Sequence, residues 1–230
     1  MCGRAVVVSS VEDIAAMFGV DAIPIGPPRF NVAPGQDLLI VRAKPRELAM
    51  ARWGLVPWWS KDGTIAQKCI QARAETIAKA PAFRDSFESR RCLVVVDGFY
   101  EWSGTGKHRH PHHIHREDHR PFAIAGIWTY WQSPLDADDS VIPTCAVVTT
   151  AARGAIANLH DRMPLVLDGD ERERWLTASA DDAATVAGAG DRLVVVPVST
   201  WVNDVRHEDA HCLEAPGTEP IPPAQTTLLF

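Results

Sequence analysis

The second residue of the chain is a cysteine. With Met1 removed, Cys2 would carry an α-amine and a thiol on adjacent carbons, with reference pKa values of about 7.7–8.0 and about 8.5. Such a 1,2-aminothiol condenses with an aldehyde at nitrogen and then closes through sulfur to a five-membered thiazolidine. An internal cysteine has no such path, and with Met1 in place the Cys2 nitrogen is an amide. The competing reading is a small side chain buried at a chance position.

Three further segments have residue types suited to chemistry. Trp53-Gly54-Leu55-Val56-Pro57-Trp58-Trp59 is followed by Gln71-Ala72-Arg73-Ala74-Glu75-Thr76. Adjacent tryptophans on a loop could stack on nucleic-acid bases while Arg73 and Arg4 hold phosphates, although any single tryptophan more often fills a core. In Asp97-Gly98-Phe99-Tyr100-Glu101-Trp102 a carboxyl ends an apolar strand among aromatics, a setting suited to general acid–base work; a solvent-facing strand glutamate is the alternative. Leu159-His160-Asp161-Arg162-Met163-Pro164 puts a histidine between a helix and a strand, where side chains are often presented to a site. The crowd of His108, His110, His112, His113, His115 and His119 reads as structural, ahead of a strand, with no metal site expected.

The elements that must position these residues are partly readable. Ser9 and Glu12 have capping-box spacing, and Val11, Ile14, Ala15 and Phe18 recur with helical period up to Gly19. Leu38–Arg42 and Glu47–Trp53 read as strands around Lys44-Pro45. Arg91–Trp102 (interrupted at Gly98), Pro121–Trp131, Cys145–Thr150 and Leu193–Val198 read as further strands. An Ala-rich helix should run to about Asn158, before the apolar run Leu165–Leu167, and Asp168 should cap a helix containing Trp175 and Leu176. Strands so irregularly interleaved with helices exclude a doubly wound sheet. They point to α+β, one domain with a largely antiparallel, barrel-like β core and flanking helices, spanning 1–216 with an extended tail at 217–230.

Composition sets the class. The chain is 46% hydrophobic and 23% charged, with no apolar run approaching the roughly 20 residues of a membrane span. No signal segment is evident, so a cytoplasmic monomer is expected. The five cysteines are widely spaced without a C-x-x-C pair, which fits free thiols and no structural zinc. A net charge of −6 excludes a protein coated in basic residues but not a local basic groove for a short single strand.

Taken in order, M-C-G-R, N-V-A-P-G at Asn31–Gly35, W-G-L-V-P-W-W with A-R-A-E-T, D-G-F-Y-E-W, and H-x-R-M-P at His160–Pro164 resemble the signature of the SRAP (SOS response-associated peptidase) family. The resemblance runs from Met1 to about Pro216. It implies a groove for single-stranded DNA carrying an abasic site, with Cys2 as the nucleophile that forms a thiazolidine with the ring-opened sugar. It implies Glu101 as the acid–base group and His160 as a second proton-transfer group. Arg4, Arg73 and Arg162 would contact phosphate or organise the site, Trp58 and Trp59 would shape the DNA path, and Asn31 and Thr149 would line it. Peptidase activity, as self-processing that exposes Cys2, and a lyase side reaction belong to the same implication, and no cofactor does. Where the family usually has Asn, this chain has Gln71, which keeps the amide but moves it by one methylene. Capture should persist with altered kinetics.

Two other classes compete. An N-terminal-nucleophile glutamine amidohydrolase also begins Met-Cys-Gly, which explains Cys2 but not the paired tryptophans or D-G-F-Y-E-W. A noncovalent reader of damaged or modified DNA would leave Cys2 incidental. Beyond Ile221-Pro222-Pro223, the end of the chain, Gln225–Phe230, looks similar to the peptides that bind bacterial sliding clamps; a tail docked on its own domain is the alternative.

Overall fold

Runs rich in β-branched residues recur along the chain, and among the described residues of the computed structural model they form strands that outnumber the helices. Residues 3–104, 106, 109–132, 140–189 and 192–217 are described; Cys2, His108 and Gln225–Phe230 lie outside them. The first half comprises β1 (Ala5–Val7), α1 (Val11–Phe18), β2 (Arg29–Val32), β3 (Asp37–Ala43), β4 (Arg46–Trp53), β5 (Gln71–Arg73), α2 (Arg84–Ser89), β6 (Arg91–Val96) and β7 (Gly98–Ser103). The second half comprises β8 (His110–Arg116), β9 (Phe122–Gln132), β10 (Val141–Ala151), β11 (Arg162–Pro164), β12 (Val166–Leu167), α3 (Asp170–Thr177), α4 (Ala180–Ala184) and β13 (Leu193–Pro197). Short 3-10 turns at Gly63–Lys68, Gly154–Asn158, Thr200–Asn203 and Ala210–Leu213 join or follow them.

Five strands close into a ring. β10 pairs with β9, β9 with β6, β6 with β3 and β3 with β4, all antiparallel. β4 then returns to β10 in parallel, with Arg52 opposite Thr144 and Trp53 opposite Cys145. Closure satisfies the backbone groups that an open sheet would leave at its edges. β5 and β11 add to β10 and β12 to β9, and the strands β13, β8, β7, β1 and β2, in that order, make a second, antiparallel sheet. The fold is therefore α+β, a single domain with a barrel-like, largely antiparallel core, as the sequence led us to expect.

Because side chains alternate along a strand, the ring strands serve two cores. Leu39, Val41, Leu93, Val95, Ala125 and Ile127 pack with Ile14 and Phe18 of α1, Phe87 of α2 and Trp175 of α3. Their neighbours Leu38, Ile40, Cys92, Val94 and Ile124 pack with Ala5, Val32, Phe99 and Ile114 of the second sheet. Arg91 ties the helices to the ring. Its buried guanidinium donates to Phe87 O at 2.7 Å and to Trp175 O at 2.5 Å, and also to Ala178 O, so that it serves carbonyls at the ends of both α2 and α3.

Several local expectations are corrected. Ser10, not Ser9, caps α1, accepting from Asp13 N. Ser9 is drawn instead to Asp97, whose carboxylate sits between β6 and β7 and also accepts the N–H of Val8 at 2.7 Å. The Ala-rich segment makes only the 3-10 turn Gly154–Asn158. Asp168 does not cap α3: its side chain pairs with Arg116 at 3.0 Å, and Gly169, at φ 48°, holds the cap position. The histidine-rich stretch His110–His115 precedes the strand β9, as expected, but is itself a strand, β8. Arg91–Trp102 is two strands in different sheets, and the change falls at Gly98.

Gly98 explains how β8 fits. A Cβ there would come within 2.0 Å of His113 Nε2, so only glycine leaves room for the buried ring. His113 packs on Tyr100 at 5.4 Å and begins a stack that continues to His115 (4.8 Å) and His119 (4.6 Å). Burial, reinforced by the two neighbouring histidines, lowers the His113 pKa to about 3. Since the unfolded ring ionises near pH 6.5, the unfolded state binds the extra proton between about pH 6.5 and pH 3. Stability should be fully present above pH 6.5 and fall toward pH 3, with a slope from this residue of at most ~1.4 kcal/mol per pH unit. Urea unfolding across that range should show a shallower pH dependence for His113→Phe than for the native chain.

Candidate active site

The second sheet brings together the residues around the N-terminal strand. Tyr100 N donates to Arg4 O at 3.0 Å, and the register sets Ala5 opposite Phe99, so β1 runs beside the strand that carries Glu101. Glu101 is only 3% exposed and lies opposite His112 of β8. The Arg4 guanidinium donates to Asn31 Oδ1 at 2.8 Å and to Val202 O at 2.9 Å, and lies 5.9 Å from the Trp102 ring centre. Arg109 lies 5.2 Å from the same ring. Two cations therefore share one indole, an arrangement that the sequence reading missed; Arg109 lies shortly after Trp102, but nothing in the sequence ties Arg4 to that ring.

Asn31 is completely buried. Its amide nitrogen faces three carbonyls, Val202 O (3.2 Å), Asp204 O (3.0 Å) and His207 O (2.8 Å), while its oxygen accepts from Arg4. In this structure Asn31 fastens the segment after β13 to β2 and orients Arg4.

A second group gathers on the part of β10 that continues past the ring. β5 pairs there in parallel, with Gln71 opposite Val147 and Arg73 opposite Thr149, and β11 pairs on β10 with Ala151 opposite Arg162. Gln71 is half-buried and Arg73 exposed. Thr149 is buried. Arg162 donates to both oxygens of Glu75, at 2.6 and 2.9 Å, and to Thr149 O at 2.7 Å. The hydrogen bonds from Arg162 hold the Glu75 carboxyl below the usual glutamate range. His160 turns back on this pair, its Nδ1 accepting the backbone N–H of Arg162 at 2.9 Å. Glu75 is the other residue missed; the signal was an acid inside a motif otherwise read for its cation.

Apolar packing joins the two groups, since Ile156, Leu159, Met163 and Ile70 share a core with Ala5, Val32 and Phe99. The paired tryptophans are at the surface, Trp58 67% and Trp59 47% exposed, with Trp58 Nε1 donating to Asp85 at 3.3 Å. Cys69, Cys92, Cys145 and Cys212 are free and buried. Burial raises each of these thiols, Cys212 to about 12, which leaves none of the four as a thiolate near neutral pH. Among the described residues, no three His, Cys, Asp or Glu side chains are placed to hold a metal.

The model of the SOS response associated peptidase (SRAP) family matches residues 1–205. The chain belongs to this family. The abasic site processing proteins YoqW and YoaM of Bacillus subtilis are 33% and 35% identical to it, each over 94% of this chain, and over 100% and 98% of their own lengths. The crystal structure of a Bacteroides thetaiotaomicron protein has the same fold, with a TM-score of 0.83 at 22% identity over 93% of this chain and 99% of that one.

Removing the Asn31 amide would break its bonds to Arg4 and to three carbonyls, leaving Val202 O to Arg4, Asp204 O to His207 N and His207 O to Cys212 Sγ, at a net loss on the order of 1 kcal/mol per bond. Asn31→Ala should lower stability in urea unfolding by about 2–4 kcal/mol.

Proposed function

We propose that this chain processes abasic sites in single-stranded DNA by capturing them covalently through Cys2. The reading is carried by the end-to-end similarity to proteins named for abasic-site processing, in a chain whose second residue becomes the required aminothiol once Met1 is removed. The abasic sugar in its open form presents an aldehyde. The Cys2 amine adds to the aldehyde carbon, and loss of water leaves a Schiff base. The Cys2 sulfur then adds to the same carbon while its proton passes to nitrogen. One amine, one thiol and one aldehyde thus become a thiazolidine and one water.

Each step moves a proton, and the site supplies groups for the transfers. Glu101 is buried on the strand next to that of the N-terminus and would assist sugar opening and dehydration. His160, with Nδ1 occupied as an acceptor, would offer the proton on Nε2. Arg73, exposed beside Thr149, and the pair Arg4 and Arg109 about Trp102 would hold the phosphates, while Trp58 and Trp59 would guide bases. Release of Met1, by the chain's own peptidase activity or by an aminopeptidase, would have to come first. Reversal of the bond and an abasic-site lyase reaction would use the same groups. The protein would act in the cytoplasm on exposed single strands, and Gln225–Phe230 would give it access to a sliding clamp.

Chain lacking Met1, incubated with single-stranded DNA carrying one abasic site, should give a heat-resistant shifted band on denaturing electrophoresis. Cys2→Ala should give none. Absence of the band from protein shown by mass spectrometry to begin at Cys2 would overturn the reading. In the same assay Gln71→Asn should accelerate capture, by up to about a hundredfold if the amide moves by about 1 Å.

A further inference from the structure

We infer that Glu75 is a positioning residue that sets the tautomer of His160 through Arg162; the catalytic use of that tautomer rests on the function proposed above. The Glu75 carboxylate meets the Arg162 guanidinium with two near-parallel bonds of 2.6 and 2.9 Å, and Thr149 O takes a third at 2.7 Å. The Arg162 side chain is 13% exposed and that of Glu75 51%, so the arginine is enclosed and the acid reaches in from the rim. A bidentate pair of this kind fixes the plane as well as the place of a guanidinium.

Fixing Arg162 has a consequence one turn of backbone away. His160 Nδ1 lies 2.9 Å from Arg162 N and 2.8 Å from Asp161 Oδ1. The two contacts make opposite demands. An N–H from Arg162 needs a lone pair on Nδ1, which puts the proton of the neutral ring on Nε2; a carboxylate needs a proton on Nδ1 itself. A single ring nitrogen cannot meet both. The Asp161 side chain is 85% exposed and loses little by turning to water, whereas Arg162 N is held by the β11 strand and by the anchored side chain. Glu75 thus weights the balance toward Nε2–H, the form that can donate a proton outward. With the clamp gone, Arg162 relaxes and Asp161 can claim a proton on Nδ1, leaving Nε2 an acceptor.

The test uses protein lacking Met1 and labelled with ¹⁵N-histidine, with His160 assigned by loss of its signals in His160→Gln. Above pH 7.5 the native ring should show Nε2–H. Glu75→Gln should move the population toward Nδ1–H, and adding Asp161→Asn should move it back. Glu75→Asp, which keeps the charge with a shorter reach, should fall between. With abasic single-stranded DNA, Glu75→Gln should capture about tenfold more slowly. Its affinity for undamaged single strands should hold or rise, because a negative charge beside Arg162 has been removed. In a His160→Gln background Glu75→Gln should add no further slowing. An unchanged tautomer in a folded Glu75→Gln protein, weakened DNA binding in step with slower capture, or additive rate losses would overturn the inference. If the native protein forms no cross-link, the proposed function fails while the tautomer measurement still decides the role of Glu75.

Discussion

One strand holds this molecule together. The 11 residues of β10 pair first with β9 and, at Thr144 and Cys145, close the ring against β4. Further along, the same strand receives β5 and β11. The backbone groups that β10 leaves free past the ring are what attract these two short strands. Gln71, Arg73, Thr149 and Arg162 meet because three segments distant in sequence share one ladder. A site on a strand so constrained is held by the main chain of the core, the kind of rigid support that proton transfer over fractions of an ångström requires.

The second sheet provides the other half of the geometry, and its precision depends on burial of polar groups with their partners. Asn31 occupies three carbonyls of the C-terminal segment and orients Arg4. The Tyr100 hydroxyl, buried beneath, donates to Phe30 O at 2.7 Å. An unpaired polar group at such depth is expensive, so each of these bonds also specifies a position. Glu101 follows Tyr100 on the same strand, β7, and inherits that fixity.

Charge is distributed in the same local way. A chain of net charge −6 is a poor general ligand for nucleic acid. Arg4 and Arg109 nevertheless converge on Trp102, and Arg73 is exposed beside Thr149. Arg162 is different, because Glu75 neutralises it. The arginines of the two motifs therefore differ, Arg73 facing solvent and Arg162 paired with Glu75 and Thr149 O.

The sequence by itself determined the local elements and named the candidate groups. Helical periodicity located α1, the turn at Lys44-Pro45 separated β3 from β4, and the apolar runs located β9 and β10, because these patterns depend on neighbours along the chain. The order of the motifs likewise marked Cys2, Glu101, His160 and the arginines. Tertiary structure alone decided what depends on neighbours across space. Ring closure by two residue pairs left no trace in composition. Asp97 took Ser9 away from a cap as its own donor, and the charged Arg116 donor took the Asp168 carboxylate from the helix N–H groups. Gly98 looked like a break in one strand and is the point where the chain changes sheets and admits His113. Glu75 stood in a motif read for Arg73, and became the partner of Arg162 only when β5 and β11 were laid on the same strand.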